Sequence, residues 1–147
     1  MAEQTESTIT VAAPPAAVLA VIADVEAYPE WIDDVKDVRI LTRHDDAEAR
    51  PRDVRFSVDS GTIKDDYTLA YRWEPAAVRW SLVEGQLLKA MDGAYEVRAG
   101  AEGSEVTYRL AVDVRIPMIG MIKRKAEKVI IGRALKGLKR RVESGLA

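Results

Sequence analysis

From Pro117 to Ala147 the chain contains no further proline, and Ile122, Val129, Ile130, Leu135, Leu138 and Val142 recur at helical spacing, the last three at intervals of three and four. Lysines and arginines crowd its far end, where they complement the negative pole of a helix. Such a helix is roughly 40 Å long at about 1.5 Å per residue, and it cannot bury its apolar stripe alone. What precedes it is mostly strand-like. The simplest solution is a twisted antiparallel sheet that grips one long C-terminal helix.

The upstream pattern supports this. Ser7 to Val11 alternates as a strand, and Ala12-Ala13-Pro14-Pro15 stops it. Proline suits a helix's first turn, where its missing N–H has no partner to lose, so a short helix is expected over 15–23. Asp24 is placed to cap a second short helix, which Tyr28-Pro29 redirects. The period then changes to two, as in strands. Strands are expected around Val35–Arg43, Val54–Val58, Tyr67–Trp73, Val78–Leu82, Met91–Val97 and Val106–Ile116, with turns at Ser60-Gly61 and Gly100–Gly103. Connections this short imply hairpins.

The 147 residues are 48% hydrophobic and 31% charged, enough for one domain, 1–147, with its own core. The chain has no cysteine, which removes disulfides, thiolate nucleophiles and cysteine-held metals. One histidine cannot build a histidine-rich site, so neither metal nor cofactor is expected. Met1–Ser7 is polar and lacks the apolar run of a signal peptide or membrane span, so the expected location is cytoplasmic. The net charge of −2 hides an asymmetry. Residues 117–147 carry nine Lys/Arg against two Glu, and residues 1–116 carry thirteen against twenty-two acids. A basic helix then faces an acidic body that complements it, or else an anionic partner such as a membrane.

The segment Ala23-Asp24-Val25-Glu26-Ala27-Tyr28-Pro29-Glu30-Trp31 resembles the "aDve.YPeW" signature of the polyketide cyclase/dehydrase branch of the START-like (Bet v 1-like, SRPBCC) superfamily. Trp80-Ser81-Leu82-Val83-Glu84-Gly85, followed by Leu88 to Val97, is similar to that branch's "W.L.eG…lk…G.y.l" hairpin. The resemblance implies an α+β helix-grip fold. A curved seven-stranded antiparallel sheet would wrap the C-terminal helix, with two short helices after the first strand and a cavity between sheet and helix. Members include aromatase/cyclases, quinone-binding chaperones and lipid carriers, so the implied partner is a hydrophobic small molecule.

The inward strand register holds Phe56, Tyr67, Leu69, Tyr71, Trp80, Leu82, Met91, Tyr95, Tyr108 and Leu110. With Trp31 and the helix residues Ile122, Ala126 and Ile130, all but Leu69 of these are the candidate ligand contacts. Aromatic bodies with polar tips suit an apolar ligand with a few polar edges. The same residues also read as plain core. Asp65, Glu84 and Lys89 share the inward phase; Glu84 and Lys89 flank a turn and form either a cross-strand ion pair or a polar anchor, while Asp65 is a candidate anchor. The strand arginines Arg55, Arg72, Arg79, Arg98, Arg109 and Arg115 take the outward phase, so the pocket arginine of cyclases has no evident counterpart.

No catalytic motif is recognisable: there is no Gly-x-Ser-x-Gly elbow, phosphate loop, dinucleotide fingerprint or His-Glu-x-x-His. His44 lies in a charged loop and is expected to be solvated, and the paired acids Asp33-Asp34, Asp45-Asp46 and Asp65-Asp66 either diverge or face water. Nucleic acid is not an expected partner, because the aromatics point inward and the body is acidic. Two functions remain open: a carrier of a lipid, quinone or polyketide-like ligand, or a cyclase/dehydrase acting on a polyketide intermediate. The first is favoured by the missing inward arginine and nucleophile.

The long helix carries two apolar stripes. Met118, Ile119, Ala126, Val129 and Ile130 centre on one side, and Ile131, Ala134, Leu135, Leu138 and Val142 on the other. Either the helix kinks near Gly132, or its first half borders the cavity mouth and presents apolar side chains to a membrane or a second subunit.

Overall fold

A computed structural model of the protein describes residues 4–59, 64–116 and 119–145. The Ser60-Gly61 turn, Pro117 and Met118 lie outside the described residues.

The elements run β1 (Thr5–Val11), α1 (Pro15–Ala23), a 3₁₀ helix (Val25–Glu30), β2 (Val35–Arg43), β3 (Pro51–Asp59), β4 (Lys64–Glu74), β5 (Ala77–Gly85), β6 (Leu88–Gly100), β7 (Gly103–Val114) and α2 (Gly120–Ser144). The strands form one antiparallel sheet in the order β1-β7-β6-β5-β4-β3-β2. The first strand therefore pairs with the last, and α1 with the 3₁₀ helix carries the chain across to the opposite edge. The order, the sheet and the closing helix match the sequence expectation.

Pro15 opens α1, and Val18 and Ile22 bury its inner face. The second short helix is 3₁₀ rather than α, with Pro29 inside it; Asp24 occupies the N-cap position but its side chain makes no capping hydrogen bond. Tyr28 ties the two helices together. Its hydroxyl donates a 2.5 Å hydrogen bond to the Ile22 carbonyl, one of the last carbonyls of α1, which have no partner within the helix.

The helix α2 runs without interruption through Gly132. Its buried residues are Glu127, Ile131, Ala134, Leu135, Gly137, Leu138 and Val142, so only the part from Glu127 onward seals the core. It packs on β1, β7 and α1. At Gly137 it approaches so closely that a Cβ would lie 2.3 Å from the Trp31 carbonyl oxygen.

The acidic body and basic helix do complement each other in part. Arg133 pairs with Asp34 at 3.0 Å, Arg141 with Glu30 at 2.9 Å and Lys123 with Asp113 at 3.6 Å. On the outer face of the sheet Glu96 lies between Arg79 (3.1 Å) and Arg109 (2.8 Å). The hydrogen bond from Arg109 chiefly, with help from Arg79, holds the Glu96 carboxyl below its ordinary range. Both arginines are thus outward, as the strand phase predicts.

Candidate functional site

A cavity of about 160 Å³ lies between the inner face of the sheet and α2. The chain has five tyrosines, and all five, Tyr28, Tyr67, Tyr71, Tyr95 and Tyr108, line it, together with the chain's one phenylalanine, Phe56, and Trp80. The rings form a continuous chain of contacts. Phe56 stacks on Tyr67 at 5.6 Å and on Tyr71 at 6.4 Å, Tyr71 stacks on Trp80 at 5.7 Å, and Tyr95 meets Tyr108 edge-on at 4.6 Å. Such pairs contribute about 0.5–1.5 kcal/mol each beyond their buried area.

The cavity is apolar with a few polar points. The Tyr28 hydroxyl donates to the Ile22 carbonyl. No described residue hydrogen-bonds the hydroxyls of Tyr67, Tyr95 and Tyr108, although the three side chains are at most 9% exposed. Burial first, then the proximity of other ionisable groups, pushes all five phenols well above their ordinary value of 10. They stay protonated at neutral pH as hydrogen-bond donors. Asp65 is buried but engaged: its two oxygens accept the backbone N–H groups of Gln86 (3.0 Å) and Leu88 (2.9 Å). It fastens the β5–β6 turn and touches the cavity from there. The rim carries the half-buried Asp34 and Lys123 and the exposed Arg133.

Of the residues that the sequence nominates, Phe56, Tyr67, Tyr71, Trp80, Met91, Tyr95, Tyr108, Leu110, Ala126, Ile130 and Asp65 line the cavity. Five others lie elsewhere. Glu84 and Lys89 are exposed, and they form no ion pair with each other among the described residues. Local register shifts move both. On β5, Glu84 pairs with Thr68 and Leu82 with Leu69, so Val83 is an extra residue that turns Glu84 to the outer face. On β6, Leu88 pairs with Val114 and Ala90 with Asp113; Lys89 is the extra residue, and Leu88 takes the inward place expected for it. Leu82 is half-buried beyond Ser81↔Asp92, where the described β5–β6 pairing ends, and packs against core rather than cavity. Trp31 is buried against Gly137 with its ring 5.0 Å from that of Tyr28, outside the lining. Ile122 is 52% exposed.

Period-two reading also misses contributions from other elements. Tyr28 and Ile32 come from the 3₁₀ helix and the turn after it, and the cavity's cationic groups, Lys123 and Arg133, come from α2 rather than from a strand. His44 is half-buried rather than solvated, with Nε2 2.8 Å from the Tyr71 carbonyl oxygen. Among the described residues no group of three His, Asp or Glu side chains could hold a metal ion, and no helix is long and apolar enough to cross a membrane.

A curved antiparallel sheet closed by one long helix over an aromatic cavity defines the START-like helix-grip class. The model of the family described as "Polyketide cyclase / dehydrase and lipid transport" matches residues 11–139, and the chain belongs to that family. Several solved structures share the fold. A START superfamily protein from Mycobacterium smegmatis is 24% identical with a TM-score of 0.87, covering 96% of this chain and 97% of its own. A protein from Thermus thermophilus is 21% identical with a TM-score of 0.82, over 99% and 100% of the two chains. The Zhui aromatase/cyclase from a Streptomyces species is 20% identical with a TM-score of 0.80, over 100% and 97%. No curated protein matches the chain.

Proposed function

We propose that the protein binds and carries a hydrophobic small molecule whose oxygen-bearing ring enters the cavity between sheet and α2. The observation that carries this reading is the gathering of all five tyrosines around one cavity, with the hydroxyls of Tyr67, Tyr95 and Tyr108 left without a partner among the described residues. Among the described residues only Trp31 Nε1 and Arg50 Nε are buried polar side-chain atoms without a partner, so these hydroxyls open on the cavity, where a ligand carbonyl or hydroxyl would pair with them. The volume of about 160 Å³ is close to that of a cavity that takes up benzene, and smaller than the roughly 300–1,000 Å³ of sites for drug-sized ligands. One ring of the ligand fits inside, and the remainder extends past the rim at Asp34, Lys123 and Arg133. A quinone, a phenolic lipid or a polyketide-like molecule meets that description.

The second reading is a cyclase/dehydrase that promotes aldol closure and dehydration of a polyketide intermediate. It draws support from the family and from the likeness of fold to an aromatase/cyclase. The raised phenol pKa values weigh against it, since a buried tyrosine that resists ionisation is a good hydrogen-bond donor and a poor proton-transfer acid. On either reading, the first half of α2, beside the rim, would meet a bilayer or a second copy of the chain.

Native mass spectrometry of protein purified from its own host tests the carrier reading. The expected result is a co-purified ring-bearing hydrophobic molecule released on denaturation. Conversion of a reactive poly-β-keto substrate, lost in Tyr67→Phe or Tyr95→Phe, would instead establish the enzyme.

A further inference from the structure

Before Glu127, α2 buries no residue. Ile119, which caps it, and Met121, Ile122 and Val129 are 64, 72, 52 and 45% exposed. Isolated apolar side chains at a surface are ordinary, but these four fall within one stretch of three turns. Arg124, Lys125 and Lys128 lie among them, exposed and without an ion-pair partner among the described residues. No acidic residue occurs from Gly120 to Ala126. Residues 122, 126, 129 and 130 share a helix face by their spacing. Two of them, Ala126 and Ile130, line the cavity, whereas Ile122 and Val129 face solvent. The exposed apolar stripe is therefore continuous with the cavity lining.

We infer that the first half of α2 docks on an anionic lipid surface. Ile119, Met121, Ile122 and Val129 enter the boundary between headgroups and acyl chains, and Arg124, Lys125 and Lys128 remain at the phosphates. Apolar side chains interleaved with cations fit that boundary. A second copy of the chain fits less well, because a symmetric pairing of this face sets its unpaired cations against one another. The stripe then offers a ligand a path from bilayer to cavity; this use of the surface rests on the carrier reading above, whereas the docking itself does not.

Flotation of the full chain with vesicles of phosphatidylcholine, alone or mixed with phosphatidylglycerol, tests the inference. The protein is expected to float with the mixed vesicles and much less with the neutral ones, and added salt should weaken the binding. Ile122→Ser with Val129→Ser, and separately Lys125→Gln with Lys128→Gln, should each lower partitioning at least about tenfold, since each lysine near an anionic surface contributes roughly fivefold. All four positions are exposed, and unchanged circular dichroism would establish that the variants are folded. Wild-type partitioning in either variant, or no flotation of the wild type, overturns the inference. So does a dimer, seen by sedimentation, that the Ile122/Val129 variant dissolves. Ligand titration without vesicles reads the cavity alone and separates failure of docking from failure of the carrier reading.

Discussion

The carboxylate of Glu127 accepts a 2.6 Å hydrogen bond from the hydroxyl of Thr5, 122 residues earlier in the chain. Its other oxygen accepts the Val112 backbone N–H at 2.8 Å. Glu127 is 2% exposed and joins the last helix to the first and last strands just where α2 passes from its exposed half to its sealing half. Glu127→Ala leaves two buried donors unpaired and should cost about 2–4 kcal/mol. Glu127→Gln should cost less than about 1 kcal/mol, because its amide oxygen can take the Val112 N–H while Thr5 accepts from its NH₂. Urea unfolding of the two variants checks the difference; equal losses would contradict it.

Two glycines should respond to alanine with opposite signs. A Cβ on Gly93 would lie 2.3 Å from the Trp80 indole, whereas one on Gly132 meets nothing within 4 Å. Gly93→Ala must displace a cavity wall and should destabilise by about 1–3 kcal/mol with a change in Trp fluorescence. Gly132→Ala should stabilise by about 0.5–1 kcal/mol, as an ordinary helix position does. A loss of stability at Gly132 would mean that the helix needs its flexibility there.

Raised phenol pKa values make stability depend on alkali. The folded state keeps all five tyrosines neutral above their ordinary value of 10, while the unfolded chain ionises at about 10. Their contribution is therefore complete below pH ~10 and is lost as pH rises from there toward the folded-state values, by up to roughly 1.4 kcal/mol per pH unit for each tyrosine. Tyrosinate absorbance should appear in one cooperative step that coincides with loss of the circular dichroism signal. Gradual ionisation with the fold intact would contradict this.

At the rim, Arg133 and Asp34 form a partly exposed pair at 3.0 Å, worth no more than about 1 kcal/mol to stability. Asp34→Asn or Arg133→Met should leave unfolding nearly unchanged but raise the rate of ligand association by up to about fivefold, because the pair no longer has to part. Stopped-flow fluorescence with a hydrophobic ligand checks this, and unchanged rates would move the entrance elsewhere.

Element order and sheet topology were legible because period-two alternation and helical spacing repeat over many residues, so a single irregularity cannot hide them. The cavity lining was legible where strands run regularly: Phe56, Tyr67, Tyr71, Trp80, Tyr95 and Tyr108 all follow the alternation. It was lost where one extra residue flips the phase, as Val83 does for Glu84 and Lys89 does for Leu88. Nothing in the local pattern marks Glu127 as buried, since its partners Thr5 and Val112 are remote in sequence. Arg133 was missed for a similar reason. Its place at the rim depends on how α2 lies across the sheet, which no spacing within the helix reveals.

If the tyrosine-lined cavity takes up a ring-bearing ligand, a small hydroxylated ring should bind there. Calorimetric titration with phenol, a single ring with one hydroxyl, tests this most directly in the wild type, in Tyr95→Phe and in the cavity-filling Ala126→Trp. The expected result is a single saturable site, an affinity lowered about three- to tenfold when the Tyr95 hydroxyl is removed, and no binding to a folded Ala126→Trp. No saturable binding to the wild type, or equal binding by all three, would contradict it.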